Sequence, residues 1–328
     1  MKAIILASGY GERMGDITRY VPKPLIPIVN KPILQHLIES LSKCGINDFI
    51  FSVGHLKNQI ISFLDEFQKK ELKFTIKFAK DFNKGPIYSF SACLSEIKDE
   101  DFILLPADFL IDPNSLLNLI QKSGDGSLTI AFDDIEANAH HSEVSLALNE
   151  EGPKVMGITS KIREEPAINK LLVPLLISRT DFQSYVKRSI GLHHTRVVDA
   201  MQLYLEEGNQ IDAYEIQNGY WFDLDMKQDV LSTNKFFLEQ ELYDNQMPNN
   251  SDYLNSQNIS LQEPVLIGKD CEFSENCVIG PYVCIGDNCS IGQNVKLQNS
   301  IIFPGSVIPA HSEIHDAIFF KSIYPIES

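Results

Sequence analysis

Four residues near the N terminus have the means to hold a polyphosphate. They are Gly9, Gly11, Arg13 and Lys23, in the stretch KAIILASGYGERMGDITRYVPKPLIPIVNKP, residues 2–32. A glycine turn leaving a buried strand bares backbone N–H groups at the carboxyl edge of a sheet, with no Cβ to keep phosphate oxygens away. Arginine adds a planar fork of donors and lysine a compact charge. Three aspartates further along suit a divalent cation. Asp108 follows the apolar run Phe102–Pro106, and Asp223 and Asp225 alternate in W-F-D-L-D, which in an extended chain puts both on one side. Carboxylate and phosphate oxygens together make the donor set of magnesium. A strand-end aspartate has a plainer alternative, capping the next helix, and Asp108 read alone supports either.

Gly9-x-Gly11 by itself is more often an ordinary turn than a phosphate loop. The whole string is more specific: a strand, G-x-G-x-R-M, a spacer, V-P-K-P-L-I-P-I, then K-P and an apolar helix. It has no G-K-[ST], and Gly11 has no glycine three residues on, so neither the P-loop nor the dinucleotide fingerprint applies. The string resembles the signature of nucleotidyltransferases that join a nucleoside triphosphate to a sugar-1-phosphate. The stretches KGPIYSFSAC, FILLPAD and GYWFDLDMKQDV are most similar to the inositol-1-phosphate cytidylyltransferase subgroup.

That resemblance implies a reaction and a site. A sugar-1-phosphate, or a similar phosphate such as a polyol phosphate, attacks the triphosphate with Mg2+ as cofactor, giving a nucleotide sugar and pyrophosphate. Arg13 and Lys23 become catalytic. Leu6, Ala7, Gly9, Gly11, Gly85 and Lys161 become substrate-binding, with Gly85 beside the base and ribose and Lys161 near the sugar phosphate. Asp108, Asp223 and Asp225 become metal ligands. Three positions depart from the family: Ala107 replaces a glycine, Glu12 the threonine of G-T-R, and Leu171-Leu172-Val173 an N-x-G or D-x-G. The last leaves the acceptor open. It also leaves a second reading, a regulatory subunit that binds nucleotide sugars without turning them over. Residues 80–85 carry no base-specific pattern.

With 328 residues and a net charge of −16, the chain is long enough for two cores and too acidic to coat nucleic acid or an anionic membrane. No apolar run is long enough to span a bilayer, and the expectation is a cytoplasmic protein. The six cysteines form no C-x-x-C pair, which argues against a zinc ribbon.

The elements that must position these residues alternate. Strands are expected at Ala3–Ala7, Asp48–Val53, Thr75–Ala79, Phe102–Pro106 and Ser127–Phe132. Helices are expected at Ile33–Cys44, Leu56–Phe67, Pro86–Leu94, Asn114–Ser123, Val197–Glu207 and about Gln228–Leu242. Such alternation predicts an α/β domain, a doubly wound mixed, mainly parallel sheet of Rossmann-like kind, with ligands outside the strands' carboxyl ends. Glu143–Leu148 and Lys154–Thr159 read as an antiparallel pair. The adjacent His193 and His194 read as surface or lid residues rather than metal ligands.

The last part of the chain is a repeat. Ile267, Phe273, Ile279, Ile285, Ile291, Leu297 and Phe303 are six apart, with small apolar residues two places ahead of each. This resembles the left-handed parallel β-helix found behind many sugar nucleotidyltransferases, at three hexads to a coil. Cys271, Cys277 and Cys289 take inward positions, while Cys284 falls off register and is expected to be exposed. His311 and His315 lie in an irregular last turn that favours assembly over an acyltransferase groove. The division expected is a catalytic domain at 1–243, a polar linker at 244–262 and the β-helix at 263–328. The helix would then serve as the contact of a homo-oligomer, and truncation after about Gln246 would spare catalysis.

Overall fold

The computed structural model describes residues 1–67, 70–97, 100–133, 145–148, 155–159, 168–217, 219–240 and 258–320. The chain forms two compact units. One comprises Met1–Gly11, Tyr20–Pro24 and Leu34–Asp223, and the other Glu12–Arg19, Leu25–Ile33 and the chain from Leu224 on.

The first unit is built on a nine-stranded sheet. Its strands are β1 (Lys2–Ala7), β2 (Asp48–Val53), β3 (Lys73–Phe78) and β4 (Phe102–Pro106), all mutually parallel where they pair. A separate short strand, β5 (Phe109–Ile111), follows β4. The sheet continues with β6 (Leu128–Asp133), β7 (Ser145–Leu148), β8 (Val155–Thr159), β9 (Ile168–Ser178) and β10 (Ile211–Glu215). Its order is β8-β7-β9-β4-β1-β2-β3, with β6 on β9 and β10 on β6. The N-terminal strands make a parallel half, and β9 runs antiparallel to β4, β6 and β7. This is the mixed α/β fold expected. The strand runs that read as continuously apolar are buried on both faces, as β4 is from Phe102 to Leu105.

Strand β9 has no counterpart among the expected elements. Its sequence, INKLLVPLLIS, contains Pro174, which argues against a strand interior. The structure places that proline at a register shift between Val173 and Leu176, where a ladder hydrogen bond is absent in any case. Most helices fall within a few residues of expectation: Ile33–Lys43, Lys57–Phe67, Pro113–Lys122, Val197–Glu206 and Lys227–Glu239. Pro86–Leu94 is instead two short pieces, Pro86–Ser91 and Leu94–Ile97. Among the described residues no helix is long and apolar enough to cross a membrane.

The second unit contains a stack of parallel strands nearly closed like a β-helix. Its strands pair at a spacing of 18 residues at first, as in Val265 with Val283 and Glu272 with Ser290. Residues in the left-handed region turn the corners: Asp270, Asn276, Tyr282, Asn288 and Asn294 are six apart. Asn and Asp tolerate that conformation best, since their short polar side chains bond locally. The six-residue register then slips. The next corner is Asn299, only five on, and Ile285 pairs with Ile302, 17 residues away. The core position therefore passes from the expected Phe303 to Ile302, which joins the solenoid's core.

The stack also begins before residue 263. Ser260–Leu261 pairs with Val278–Ile279, so the end of the expected linker is part of the first coil, while 244–257 lies outside the described residues. The helix Lys227–Glu239 packs on the solenoid strands Lys296–Ile302 and Glu313–Phe319. It buries Val230, Leu231, Asn234, Phe237 and Leu238. Cys284, expected to be exposed, is fully buried, its thiol against the Asn234 side chain and the Val29 backbone. Cys277 and Cys289 are buried as expected, and Cys271 is half-buried. The unit also holds a hairpin, Pro27–Ile28 against Lys31–Pro32, whose turn residues Val29 and Asn30 both have positive φ. Asn30 Nδ2 donates to the carbonyl of Ile285 at 2.8 Å, and the Val29 N–H to Asn234 Oδ1 at 2.9 Å. The solenoid is therefore packed into its own unit by a helix and a hairpin. Truncation after about Gln246, expected to spare catalysis, would therefore strip that helix and hairpin of their solenoid contacts.

Candidate active site

Strand β1 delivers the glycine loop to the carboxyl edge of the parallel half. Leu6 is half-buried and Ala7 buried. The loop is pinned from both sides: the carbonyl of Leu6 accepts from the Ala107 N–H at 3.0 Å, and that of Ser8 from the His55 N–H at 2.9 Å. The Ser8 and Ser89 hydroxyls share a buried hydrogen bond of 2.6 Å. Gly11 takes a left-handed φ of 68°. Gly9 has no such need, and a Cβ there would meet nothing within 4 Å. The fold therefore gives no steric reason for glycine at position 9, which leaves room for a ligand as the use of the missing side chain.

The carboxylates are brought together by a two-stranded ribbon. Strand β5 pairs antiparallel with β11 (Trp221–Asp223), setting Phe109 opposite Asp223, and Asp108 immediately precedes Phe109. Oxygens of Asp108 and Asp223 lie within 4.8 Å of each other. Trp221 anchors the ribbon: its indole donates to Asp133 Oδ2 at 2.7 Å and its ring packs on Phe109 at 6.1 Å. The capping alternative for Asp108 is ruled out by its neighbour. Asp112 caps the helix Pro113–Lys122, accepting from the Ser115 N–H at 2.8 Å. Lys23, buried in a short 3-10 turn, places Nζ 2.5 Å from Asp108 Oδ2.

In the second unit, the signature continues through Glu12–Arg19 as two short 3-10 turns that meet at a kink at Gly15, where φ is 77°. Arg13 Nη1 donates to Asp225 Oδ2 at 2.7 Å. The start of the helix Lys227–Glu239 is served by Asp229, which accepts from the Met226 N–H at 2.7 Å, so Asp225 is not spent on capping. Glu12, the residue in place of the family's threonine, is exposed.

Gly85 has a structural reason of its own. Its φ is 135°, and a Cβ there would come within 2.4 Å of the Thr195 carbonyl oxygen. The loop thus packs backbone to backbone against the residue following His194, whose Nδ1 is hydrogen-bonded to Ser189 Oγ at 2.8 Å. Missed in the sequence is an aromatic group beside the glycine loop. The Tyr10 ring lies 5.1 Å from that of His55 and 5.0 Å from that of Phe82, and Tyr10 is 44% exposed. An exposed aromatic between two loop glycines was the available signal. Leu171, Leu172 and Val173 are buried in β9, paired with Asp133, Phe132 and Ala131. Lys161 lies outside the described residues.

A comparison with known families matches residues 3–200 to the MobA-like NTP transferase domain and residues 261–322 to the GMPPB C-terminal domain. Among curated proteins, the chain is 28% identical to a bifunctional sugar-1-phosphate nucleotidylyltransferase/acetyltransferase of Sulfurisphaera tokodaii, over 98% of this chain and 80% of that protein. It is 26% identical to a mannose-1-phosphate guanyltransferase of Gibberella zeae, over 97% and 85% respectively. Among solved structures, UDP-glucose pyrophosphorylase complexed with UDP-glucose shares the fold, with TM-score 0.61 and 20% identity over 73% of this chain and 98% of that one. The inositol-1-phosphate CTP transferase of T. maritima shares it with TM-score 0.58 and 19% identity, over 71% and 96%. The chain belongs to the family of MobA-like NTP transferase domains.

Proposed function

We propose that the protein transfers a nucleotidyl group from a nucleoside triphosphate to a sugar-1-phosphate or a similar phosphate, with Mg2+. The observation that carries this reading is the Asp108–Asp223 pair, its oxygens within 4.8 Å, with Lys23 on Asp108. Paired hard oxygens at that separation fit magnesium, which prefers one or two carboxylates and fills its remaining positions with phosphate and water. A magnesium ion held there would neutralise phosphate oxygens and make the α-phosphorus more open to attack. The remaining chemistry belongs to the chain. An acceptor phosphate oxygen bonds to the α-phosphorus as the bond from that phosphorus to the β-bridging oxygen breaks. Pyrophosphate leaves with the electron pair. Arg13 and Lys23 stabilise the charge that builds on the transferring and leaving phosphates, the main term in reactions between anions. The glycine loop offers N–H donors, and Tyr10, His55 and Phe82 offer aromatic faces to a base.

The relatives named above act on sugar phosphates, which supports that acceptor class. Leu171–Val173 being buried in a strand favours an acceptor held by other residues, a polyol phosphate included. We also propose assembly through the solenoid, in which Glu313–Phe319 is the last strand among the described residues and pairs in parallel with Lys296–Ile302. Light scattering of the full chain tests assembly, a monomer at all concentrations refuting it. The catalytic reading is tested by incubating the protein with each common nucleoside triphosphate and a panel of sugar and polyol phosphates with Mg2+. A nucleotide-linked product identified by mass spectrometry supports transfer. Nucleotide-sugar binding with no product from any pair supports a regulatory subunit instead.

A further inference from the structure

Both cations assigned to phosphate already hold an aspartate assigned to metal. In the first unit Lys23 pairs with Asp108, their side chains 8% and 22% exposed. In the second, Arg13 pairs with Asp225, at 62% and 26%. The two pairs differ in weight. An exposed pair is screened by water and contributes little, whereas a lysine sequestered on a carboxylate supplies charge that the carboxylate otherwise lacks. Lys23 is flanked by Pro22 and Pro24, so its backbone has little freedom, and only its four-carbon stem can carry the ammonium elsewhere.

We infer that Lys23 is a built-in competitor for the cation on Asp108, so that a divalent metal and a triphosphate bind together rather than independently. The inference rests on the reading of Asp108 as a metal ligand. A divalent cation approaching Asp108 meets an ammonium on one of its oxygens. A triphosphate offers that ammonium a better charged partner, and as Lys23 turns to the phosphates, Asp108 is given over to the metal. The same exchange run the other way tightens triphosphate when metal is present, by the same factor. The advantage is selective: metal alone is held weakly, so Asp108 is not saturated by free cation before substrate arrives.

The test uses Mn2+ alone, its binding to the full-length protein followed by electron paramagnetic resonance, in the wild type and in Lys23→Met and Lys23→Arg. Circular dichroism confirms folding, and Lys23→Gln replaces Lys23→Met should the latter not fold. The expected result is Mn2+ binding at least fivefold tighter in Lys23→Met than in the wild type, with Lys23→Arg close to the wild type. Unchanged or weaker binding in the neutral variants overturns the inference. Adding Asp108→Asn to the neutral variant should abolish the gain. If the double variant binds Mn2+ as tightly as the single one, Asp108 is not the ligand, and the metal assignment itself falls.

Discussion

The Asn234 carboxamide, 1% exposed, accepts a 2.9 Å hydrogen bond from the N–H of Val29, 205 positions earlier in the chain. Val29 sits in the left-handed turn of the hairpin that follows Lys23-Pro24, and Cys284 of the solenoid lies against the same carboxamide. One side chain therefore joins helix, hairpin and solenoid within the second unit. Asn234→Ala would leave a buried N–H without its acceptor, at a cost of about 1–3 kcal/mol. Urea unfolding measures it, and a loss near zero would show that the hairpin turn does not depend on Asn234.

Truncation after Gln246 is expected to be far more damaging. It strips the helix Lys227–Glu239, which buries Val230, Leu231, Phe237 and Leu238, of the solenoid strands it packs on. Uncovering several large side chains at about 1.5–3 kcal/mol each exceeds the margin of a typical domain. The truncated chain should aggregate or lose its cooperative thermal transition. A soluble truncated protein with an unchanged transition would contradict this.

Gly9 and Gly85 should respond oppositely to alanine. Gly85→Ala forces a side chain into a backbone conformation almost confined to glycine and into the Thr195 carbonyl, a loss of at least about 2 kcal/mol. Gly9→Ala meets no atom of the protein, so stability should hold to within about 0.5 kcal/mol while nucleotide affinity falls. Thermal unfolding and nucleotide titration on both variants check this pair. A Gly9→Ala protein with native nucleotide affinity would reduce the loop to a turn.

The thiols should sort by burial. Burial pushes Cys93 and Cys284 each up to about 12, so neither forms much thiolate near neutrality. Cys271 is half-buried, and a hydrogen bond from the Cys289 thiol lowers its pKa. Brief iodoacetamide treatment of the folded protein at pH 7.5, read by peptide mass spectrometry, should modify Cys271 well before Cys93 or Cys284. Early labelling of Cys284 would mean that the helix does not cover it.

Much of this was legible from the chain itself. Apolar runs and helical periods marked the parallel half, because such strands are buried on both faces and their helices on one. The ribbon joining Asp108 to Asp223 was not legible, since strands of three residues carry no period and pair across more than a hundred positions. Pro174 hid a strand by standing at its irregularity. Hexads told which solenoid residues point inward, but not that a helix covers the outer face at Cys284. Nor did they show that the coil shortens at Asn299. The pairing of Arg13 with Asp225, 212 positions apart, joined two motifs that the sequence displays only separately.

The most direct measurement of the central claim is pyrophosphate release by the full-length protein, with saturating Mg2+ and the best donor and acceptor pair, beside Asp108→Asn and Asp223→Asn. Each substitution removes a carboxylate charge where phosphate oxygens must gather with the metal, without removing Trp221 or β5 that build the ribbon. The account predicts at least a hundredfold loss of turnover in each variant, about 2.7 kcal/mol of transition-state stabilisation, measured on protein that circular dichroism shows to be folded. Release at a near-normal rate by either folded variant would contradict it.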